Sequence, residues 1–143
     1  MIKIGKDISS FSKHSCRPTS KRELVILINN RISKEGNNCD LNDIDTSLIT
    51  DMSWLFSCTD FNGDISDWDV SNVEKMSYMF NRSIFNNDIS KWDVIKVKDM
   101  TRMFKYSSFD QDISNWNIRQ DCDTDHMFNK CPINDKHKPN LLK

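Results

Sequence analysis

Glycine and proline are scarce in this 143-residue chain, which contains three of each. Such a composition excludes a flexible linker or a low-complexity segment. Long apolar runs are also missing, since no stretch approaches the roughly 20 apolar residues that a membrane-spanning helix requires. The first residues, 1–8, lack the apolar core of an export signal. We therefore expect no membrane partner, and the removal of an export signal stays open as an alternative.

Clustered positive charge is a second absence. The chain has 20 Lys and Arg residues against 21 Asp and Glu residues, for a formal net charge of −1. Because a nucleic-acid-binding protein shows an excess of basic residues, no direct nucleic-acid partner is expected. The five cysteines form an odd set without a CxxC pair, which favours reduced thiols and a cytoplasmic location. For a phage- or virus-encoded chain, that location would be the host cell cytoplasm.

Catalytic motifs are a third absence. The sequence contains no Gly-rich phosphate loop, no HExxH motif and no nucleophile elbow. We therefore predict that the chain is not an enzyme and needs no cofactor.

A repeat of 24 residues is what the chain does contain. Its apolar columns stay in register over four units without a gap. The clearest columns are Trp68/Trp92/Trp116, Ile65/Ile89/Ile113, Met52/Met76/Met100 and Phe56/Phe80/Phe104/Phe128. A unit of this size does not bury its apolar residues alone, so the units are predicted to stack on one another.

Each unit is predicted to contain a short helix and a short strand. In the second unit, apolar residues of the segment 73–80 have the i, i+3, i+6, i+7 spacing of one helix face. Trp92 and Val94 alternate as in a strand. Stacking these units predicts an α/β solenoid with a parallel sheet on one face.

A capping helix is predicted before the repeats. Ser20 and Glu23 form a capping box, and Gly36 stops the apolar stripe that follows. The chain then divides into an N-terminal segment with its capping helix at 1–36, a four-unit solenoid at 37–133 and a C-terminal tail at 134–143.

The stretch from Asp64 to Phe80, DISDWDVSNVEKMSYMF, with FNNDIS from Phe85 to Ser90, resembles the BspA-like leucine-rich-repeat family. That family is found in bacterial surface proteins, with related copies in mycoplasmas and large DNA viruses. The resemblance covers residues 37–133 and implies a leucine-rich-repeat solenoid used for attachment and protein binding. This chain is short and shows no export signal, which favours a compact intracellular binder.

An acidic strip is the predicted binding surface. Its residues alternate with the inward Trp and Val positions, so they project from the outer face of the predicted sheet. The candidate binding residues are Asp43, Asp45, Asp67, Asp69, Lys91, Asp93, Asn115 and Asn117. A strip of this charge suits another protein with a basic surface. The alternative interpretation is an ordinary solvated face.

A column of aspartates, one in each unit, suggests a calcium site, but we interpret these residues as side chains that stabilise their own turns. Carboxylates repeated in every layer suit a hard cation. The turns contain almost no glycine, however, which favours side chains that accept hydrogen bonds from their own turns. These residues are Asp40, Asp64, Asp88 and Asp112.

A second set has the residue types of a zinc site, with looser spacing than common zinc sites show. It consists of Cys122, His126, Cys131 and His137. Two of its cysteines align with polar columns and are expected at the surface, so no metal is predicted. The Trp columns are interpreted as core and not as a stacking platform for bases or sugars.

The resulting prediction is a non-catalytic protein-binding module, for example an intracellular inhibitor that a phage, virus or other mobile element directs at a host protein. One alternative is a fragment of a bacterial surface adhesin. Another is a structural protein whose exposed end layers stack into a homo-oligomer.

Overall fold

A computed structural model describes residues 16–141 of the protein. Residues 1–15 and 142–143, with the predictions made for the chain start and the end of the tail, lie outside the described residues. Between 16 and 141 the helical elements are α1, Lys21–Glu35, and one 3₁₀ turn, Asp135–His137. Neither element is long and apolar enough to cross a membrane.

The predicted capping helix is confirmed as α1. The Ser20 hydroxyl accepts the N–H of Glu23 at 3.2 Å, and the Glu23 carboxylate accepts the N–H of Thr19 at 2.7 Å. Gly36 ends the helix in the left-handed region, with φ 93°. The side chains that α1 buries against the first layer are Leu24 and Ile28.

The predicted α/β solenoid with a parallel sheet is wrong, and so is the leucine-rich-repeat fold that the resemblance implied. Between residues 16 and 141 no strand forms, and the extended contacts are isolated parallel bridges. The bridges join Cys16 to Ile44, Asp40 to Asp64, Asp51 to Lys75, Lys75 to Asp99 and Asp99 to Asp123. Four of these five pairs are 24 residues apart. The repeat units therefore stack in register without building a sheet.

Left-handed residues explain why the predicted short helix at 73–80 is absent. Tyr78 has φ 59° and Arg82 has φ 57°, whereas a right-handed helix needs negative φ throughout. The same two positions are left-handed in every unit, at Trp54 and Cys58, Tyr78 and Arg82, Arg102 and Tyr106, and His126 and Lys130. The apolar spacing of this segment is satisfied by consecutive turns instead of a helix.

Backbone hydrogen bonds alternate between two directions along this segment. Every second N–H donates to a carbonyl of the next unit, at 2.8–2.9 Å in the second unit. These bonds join Met76 to Asp99, Tyr78 to Thr101, Phe80 to Met103 and Arg82 to Lys105. The intervening N–H groups donate three residues back, as from Met79 to Met76 and from Asn81 to Tyr78. The backbone donors of residue 76 and of residues 78–82 are thereby satisfied without a sheet.

Aromatic columns form the core between the stacked units. The rings of Phe56, Phe80, Phe104 and Phe128 stack at centroid distances of 5.7, 5.5 and 5.6 Å. The three predicted core tryptophans are each 4% exposed. Their indole N–H groups donate to carbonyls of the preceding unit, from Trp68 to Leu41, Trp92 to Ile65 and Trp116 to Ile89. The interpretation of the Trp columns as core is confirmed.

The stacking continues into the segment predicted as a tail. The N–H of Ile113 donates to the carbonyl of His137 at 2.9 Å. A ladder of side-chain oxygens runs alongside, each accepting the N–H of the equivalent residue one unit later at 2.8 Å. The acceptors are Asn62, Asn86 and Asp110, and the last donor is the N–H of Asn134. Residues 134–138 thus begin a further layer.

The buried indole of Trp92 yields a stability prediction. Trp92→Ala removes buried surface, leaves a cavity and strands the carbonyl of Ile65, so the free energy of unfolding should fall by about 3–5 kcal/mol. Asp93→Ala loses the hydrogen bond from the Ile95 N–H, 3.2 Å long, and should cost about 1 kcal/mol or less. Denaturant unfolding of both variants measures this. An unfolded Asp93→Ala beside a tolerated Trp92→Ala would reverse the assignment of inside and outside.

The left-handed backbone yields a second prediction. Lys130 is exposed with φ 59°, and a β-branched residue there should lower the free energy of unfolding by about 1–2 kcal/mol. Lys130→Asn should leave it unchanged within about 0.5 kcal/mol, because Asn tolerates this region. Lys98→Val, at an exposed position without positive φ, is the control. Equal stabilities of Lys130→Val and Lys98→Val would contradict the assigned conformation.

Candidate functional site: a cationic aromatic face

The predicted acidic strip lies along one side of the stack. Six of its eight residues are exposed, and two of the first unit, Asp43 and Asp45, are half-buried. The exposed members are Asp67, Asp69, Lys91, Asp93, Asn115 and Asn117. The Lys91 ammonium group donates to the Asp67 carboxylate one unit earlier at 2.9 Å. This contact joins strip residues of two adjacent units, while the sheet on whose outer face the strip was predicted does not form between residues 16 and 141.

The carboxylates of this acidic strip already have partners within the chain. Arg31 binds Asp43 through two hydrogen bonds of 2.9 and 2.7 Å, and this bonding raises the pKa of the guanidinium group. Asp69 accepts both the N–H and the hydroxyl of Ser71, at 3.0 and 2.6 Å. These internal contacts offset the repulsion between stacked carboxylates and leave fewer acceptor positions for a partner.

The column for which calcium was considered accepts hydrogen bonds from its own turns, which confirms the interpretation of these aspartates as turn-stabilising side chains. Its residues are Asp40, Asp64, Asp88 and Asp112. Hydrogen bonds lower the pKa of Asp64, first from Asn42 and then from Ser66. The N–H and hydroxyl of Ser90 lower the pKa of Asp88 in the same way. Across residues 16–141, no three His, Cys, Asp or Glu side chains gather into a group that would hold a metal ion.

The zinc-type set is dispersed over separate environments. Cys122 is buried at 1% exposure, so its expected place at the surface is wrong. The thiol of Cys131 donates to the carbonyl of Phe109 at 3.2 Å. The ring of His137 contacts the Asp110 carboxylate through Nδ1 at 3.0 Å.

A surface that the sequence interpretation missed lies at the two left-handed columns. Their side chains turn outward, because the intervening residues at 56, 80, 104 and 128 carry the Phe rings of the core. We call this surface the cationic aromatic face and define it by Trp54, Tyr78, Arg82, Arg102, Tyr106, His126 and Lys130 of these columns, together with the neighbouring Lys105. Most of these side chains are exposed, and Tyr78, Arg102 and Lys105 are half-buried.

The first column of the face is a stack of planar groups. The rings of Trp54 and Tyr78 lie 3.9 Å apart with their planes within 4°. Arg102 continues the stack, with its guanidinium carbon 5.8 Å from the Tyr78 ring centre and Nη1 donating to the Tyr78 hydroxyl at 2.6 Å. Trp54 nevertheless remains 53% exposed. A large apolar side chain is thus held rigid at the surface.

The second column holds basic groups against a tyrosine. The guanidinium carbon of Arg82 lies 4.5 Å from the ring centre of Tyr106, and the Lys105 ammonium group lies 5.3 Å from it. Cation–π contacts of this kind fix the planar Arg side chain and leave its edge N–H groups available. Among residues 16–141, no ion pair involves Arg82, Lys105 or Lys130.

Charge is segregated between the two sides of the stack. The four segments that carry the face, 54–58, 78–82, 102–106 and 126–130, contain no Asp or Glu. Their basic residues are Arg82, Arg102, Lys105 and Lys130. Four other segments, 40–48, 64–72, 88–96 and 112–120, form what we call the acidic side. They contain Asp40, Asp43, Asp45, Asp64, Asp67, Asp69, Asp88, Asp93 and Asp112, against Lys91, Lys96 and Arg119. These two sets of segments therefore carry opposite charge, and Asp125, which precedes the last face segment, contacts His126 at 2.8 Å.

The hydrogen-bonded aspartates yield a pH prediction. Their pKa values are lowered in the folded chain, so the unfolded chain binds more protons in acid and stability is lost as pH falls through the lowered values. Ser66→Ala/Ser114→Ala removes two of the hydroxyl donors. The free energy of unfolding should then fall less steeply between about pH 5 and pH 2. The control is Ser77→Ala/Ser108→Ala, and equal slopes in both double variants would contradict the assignment.

The comparisons with known proteins concern this same stack. No curated protein and no solved structure matches the chain. A family model described as "Mycoplasma protein of unknown function, DUF285" matches residues 28–140, from within α1 to the last layer. The match confirms the mycoplasma-type part of the resemblance. Because it covers most of the 143 residues, the chain belongs to the DUF285 family.

Proposed function

We propose that the chain is a non-catalytic protein-binding module that contacts its partner through the cationic aromatic face. The observation that carries this proposal is the exposed stack of Trp54 on Tyr78, 3.9 Å apart, with Arg102 behind it. The few residues that dominate the binding energy at protein interfaces are enriched in tryptophan, tyrosine and arginine. A stack held by the units beneath it loses little conformational entropy on binding.

The proposal moves the binding surface away from the acidic strip. The strip's carboxylates accept hydrogen bonds within the chain, as Asp43 does from Arg31 and Asp69 from Ser71. Arg82, Arg102, Lys105 and Lys130 of the face have no carboxylate partner in the described part of the chain, whereas His126 contacts the Asp125 carboxylate through Nδ1 at 2.8 Å. An acidic partner therefore replaces the basic partner that the sequence suggested.

The BspA-like resemblance of residues 64–90 also supports a binding function, although the leucine-rich-repeat fold is absent. That family is used for attachment and protein binding. The resemblance extends to binding and does not select between an intracellular inhibitor and a surface adhesin, which remain two settings for the same face.

Replacing Trp54 tests the proposed function. The tagged full chain first captures its partner from a lysate of its source cells, and the purified partner is then titrated calorimetrically. Trp54→Ser should weaken binding by about 30-fold or more, the loss typical of a central aromatic at an interface. Leu48→Ser is the matched control, because Leu48 is also exposed, at 44%, and lies on the acidic side.

Two results would overturn this assignment. One is an affinity that Trp54→Ser leaves unchanged, and the other is an affinity that Leu48→Ser reduces equally. Thermal melting of both variants verifies that they remain folded. Oligomers that grow with protein concentration on a sizing column, and disappear in Trp54→Ser, would assign the face to self-assembly.

A further inference from the structure

We infer that the cationic aromatic face recognises an extended acidic segment of a protein, with a large apolar residue at one end and carboxylates after it. This inference rests on the proposed function and specifies the chemistry of the partner. It follows from three observations. They are the order of the apolar and basic side chains along the stack, the absence of ion-pair partners for Arg82, Lys105 and Lys130 among residues 16–141, and the side chains that already lie against the tyrosine rings.

The face is asymmetric along the stacking direction. Its first unit presents Trp54 and no charge, while the later units present Arg82, Lys105 and Lys130. Along the segments that carry the face, adjacent units are joined by backbone hydrogen bonds of 2.8–3.0 Å, which corresponds to a step of about 4.8 Å per unit. Four units therefore span about 14 Å, the length of four or five residues of extended chain at about 3.3 Å each. An apolar residue on Trp54 would place the following carboxylates beside the basic groups.

The basic groups of the face are ready to accept carboxylates. Arg82 is fixed against Tyr106 by a cation–π contact of 4.5 Å, so its guanidinium group is already oriented. A planar guanidinium group binds a carboxylate through two parallel hydrogen bonds. By contrast, exposed basic groups on the acidic side have partners, as Lys91 has in Asp67 and Lys96 has in Asn72. Arg82, Lys105 and Lys130 of the face have no ion-pair partner among residues 16–141.

Ring faces on this surface are mostly occupied, which disfavours single-stranded nucleic acid. Bases bind by stacking on open aromatic faces. Tyr78 has Trp54 against one ring face and the Arg102 guanidinium group beside it, while Arg82 and Lys105 lie over Tyr106. The carboxylates of the opposite side would also repel a phosphate backbone that extended beyond the face.

Peptide binding tests the inference directly. The probe is a labelled synthetic peptide with one phenylalanine followed by four glutamates, flanked by serines. A second peptide replaces each glutamate with glutamine. The full chain should bind the glutamate peptide at least tenfold more tightly, as measured by fluorescence anisotropy. Raising the salt concentration should weaken that preference, because exposed charges are screened.

Two charge-matched variants locate the site. Arg82→Gln/Lys105→Gln removes two positive charges from the face and should weaken the glutamate peptide about tenfold or more. Lys91→Gln/Lys96→Gln removes two positive charges from the acidic side and should change binding less than about twofold. Both should leave the glutamine peptide unaffected, and thermal melting verifies their folding.

The outcomes separate this inference from the proposed function. Equal binding of the two peptides, equal losses in the two double variants, or tighter binding of a thymidine decanucleotide would overturn the acidic-segment inference. If Trp54→Ser still abolishes binding of the captured partner in that case, the face remains a protein-binding site with a different partner chemistry. If Trp54→Ser leaves that binding intact, the proposed function and the inference are both wrong.

Discussion

Alternating backbone hydrogen bonds are the constraint on which the rest of the structure depends. Along the first three units, N–H groups that donate to the next unit alternate with N–H groups that donate three residues back, as Phe80 and Met79 illustrate. This alternation requires left-handed residues at two fixed positions, Tyr78 and Arg82 in the second unit. Because every unit repeats the pattern, side chains 24 residues apart are stacked directly on one another.

The same constraint sorts the charges. On the acidic side, hydrogen bonds from Asn42 and then from Ser66 lower the pKa of Asp64, and hydrogen bonds from Ser90 in its own turn lower the pKa of Asp88. At the left-handed positions the side chains project outward; Arg82 and Arg102 lie against tyrosine rings, whereas His126 contacts the Asp125 carboxylate. The cation–π pair of Arg82 with Tyr106 is such a contact. Basic side chains that are still able to bind a carboxylate, such as Arg82, therefore lie on the cationic aromatic face.

Most of the packing was predictable from spacing, and the local conformation was not. Trp68 and Trp92 are buried as their columns predicted, and α1 begins at the capping box. The helix predicted at 73–80 failed because its apolar spacing suits a helix and a series of three-residue turns equally well. Tyr and Arg rarely adopt positive φ, so nothing in the residue types announced the left-handed positions. The face built on those positions was missed for the same reason.

The sequence by itself determined the 24-residue period, the identity of the core columns and the capped helix that covers the first layer. These features depend on apolar spacing and capping chemistry, which act between residues whose separation along the chain is known. Only the tertiary structure decided that the units stack without a sheet and that Trp54, Arg82 and Tyr106 share one surface. Those outcomes depend on hydrogen bonds between units, and a bond to the next layer selects backbone angles that the isolated segment would not adopt.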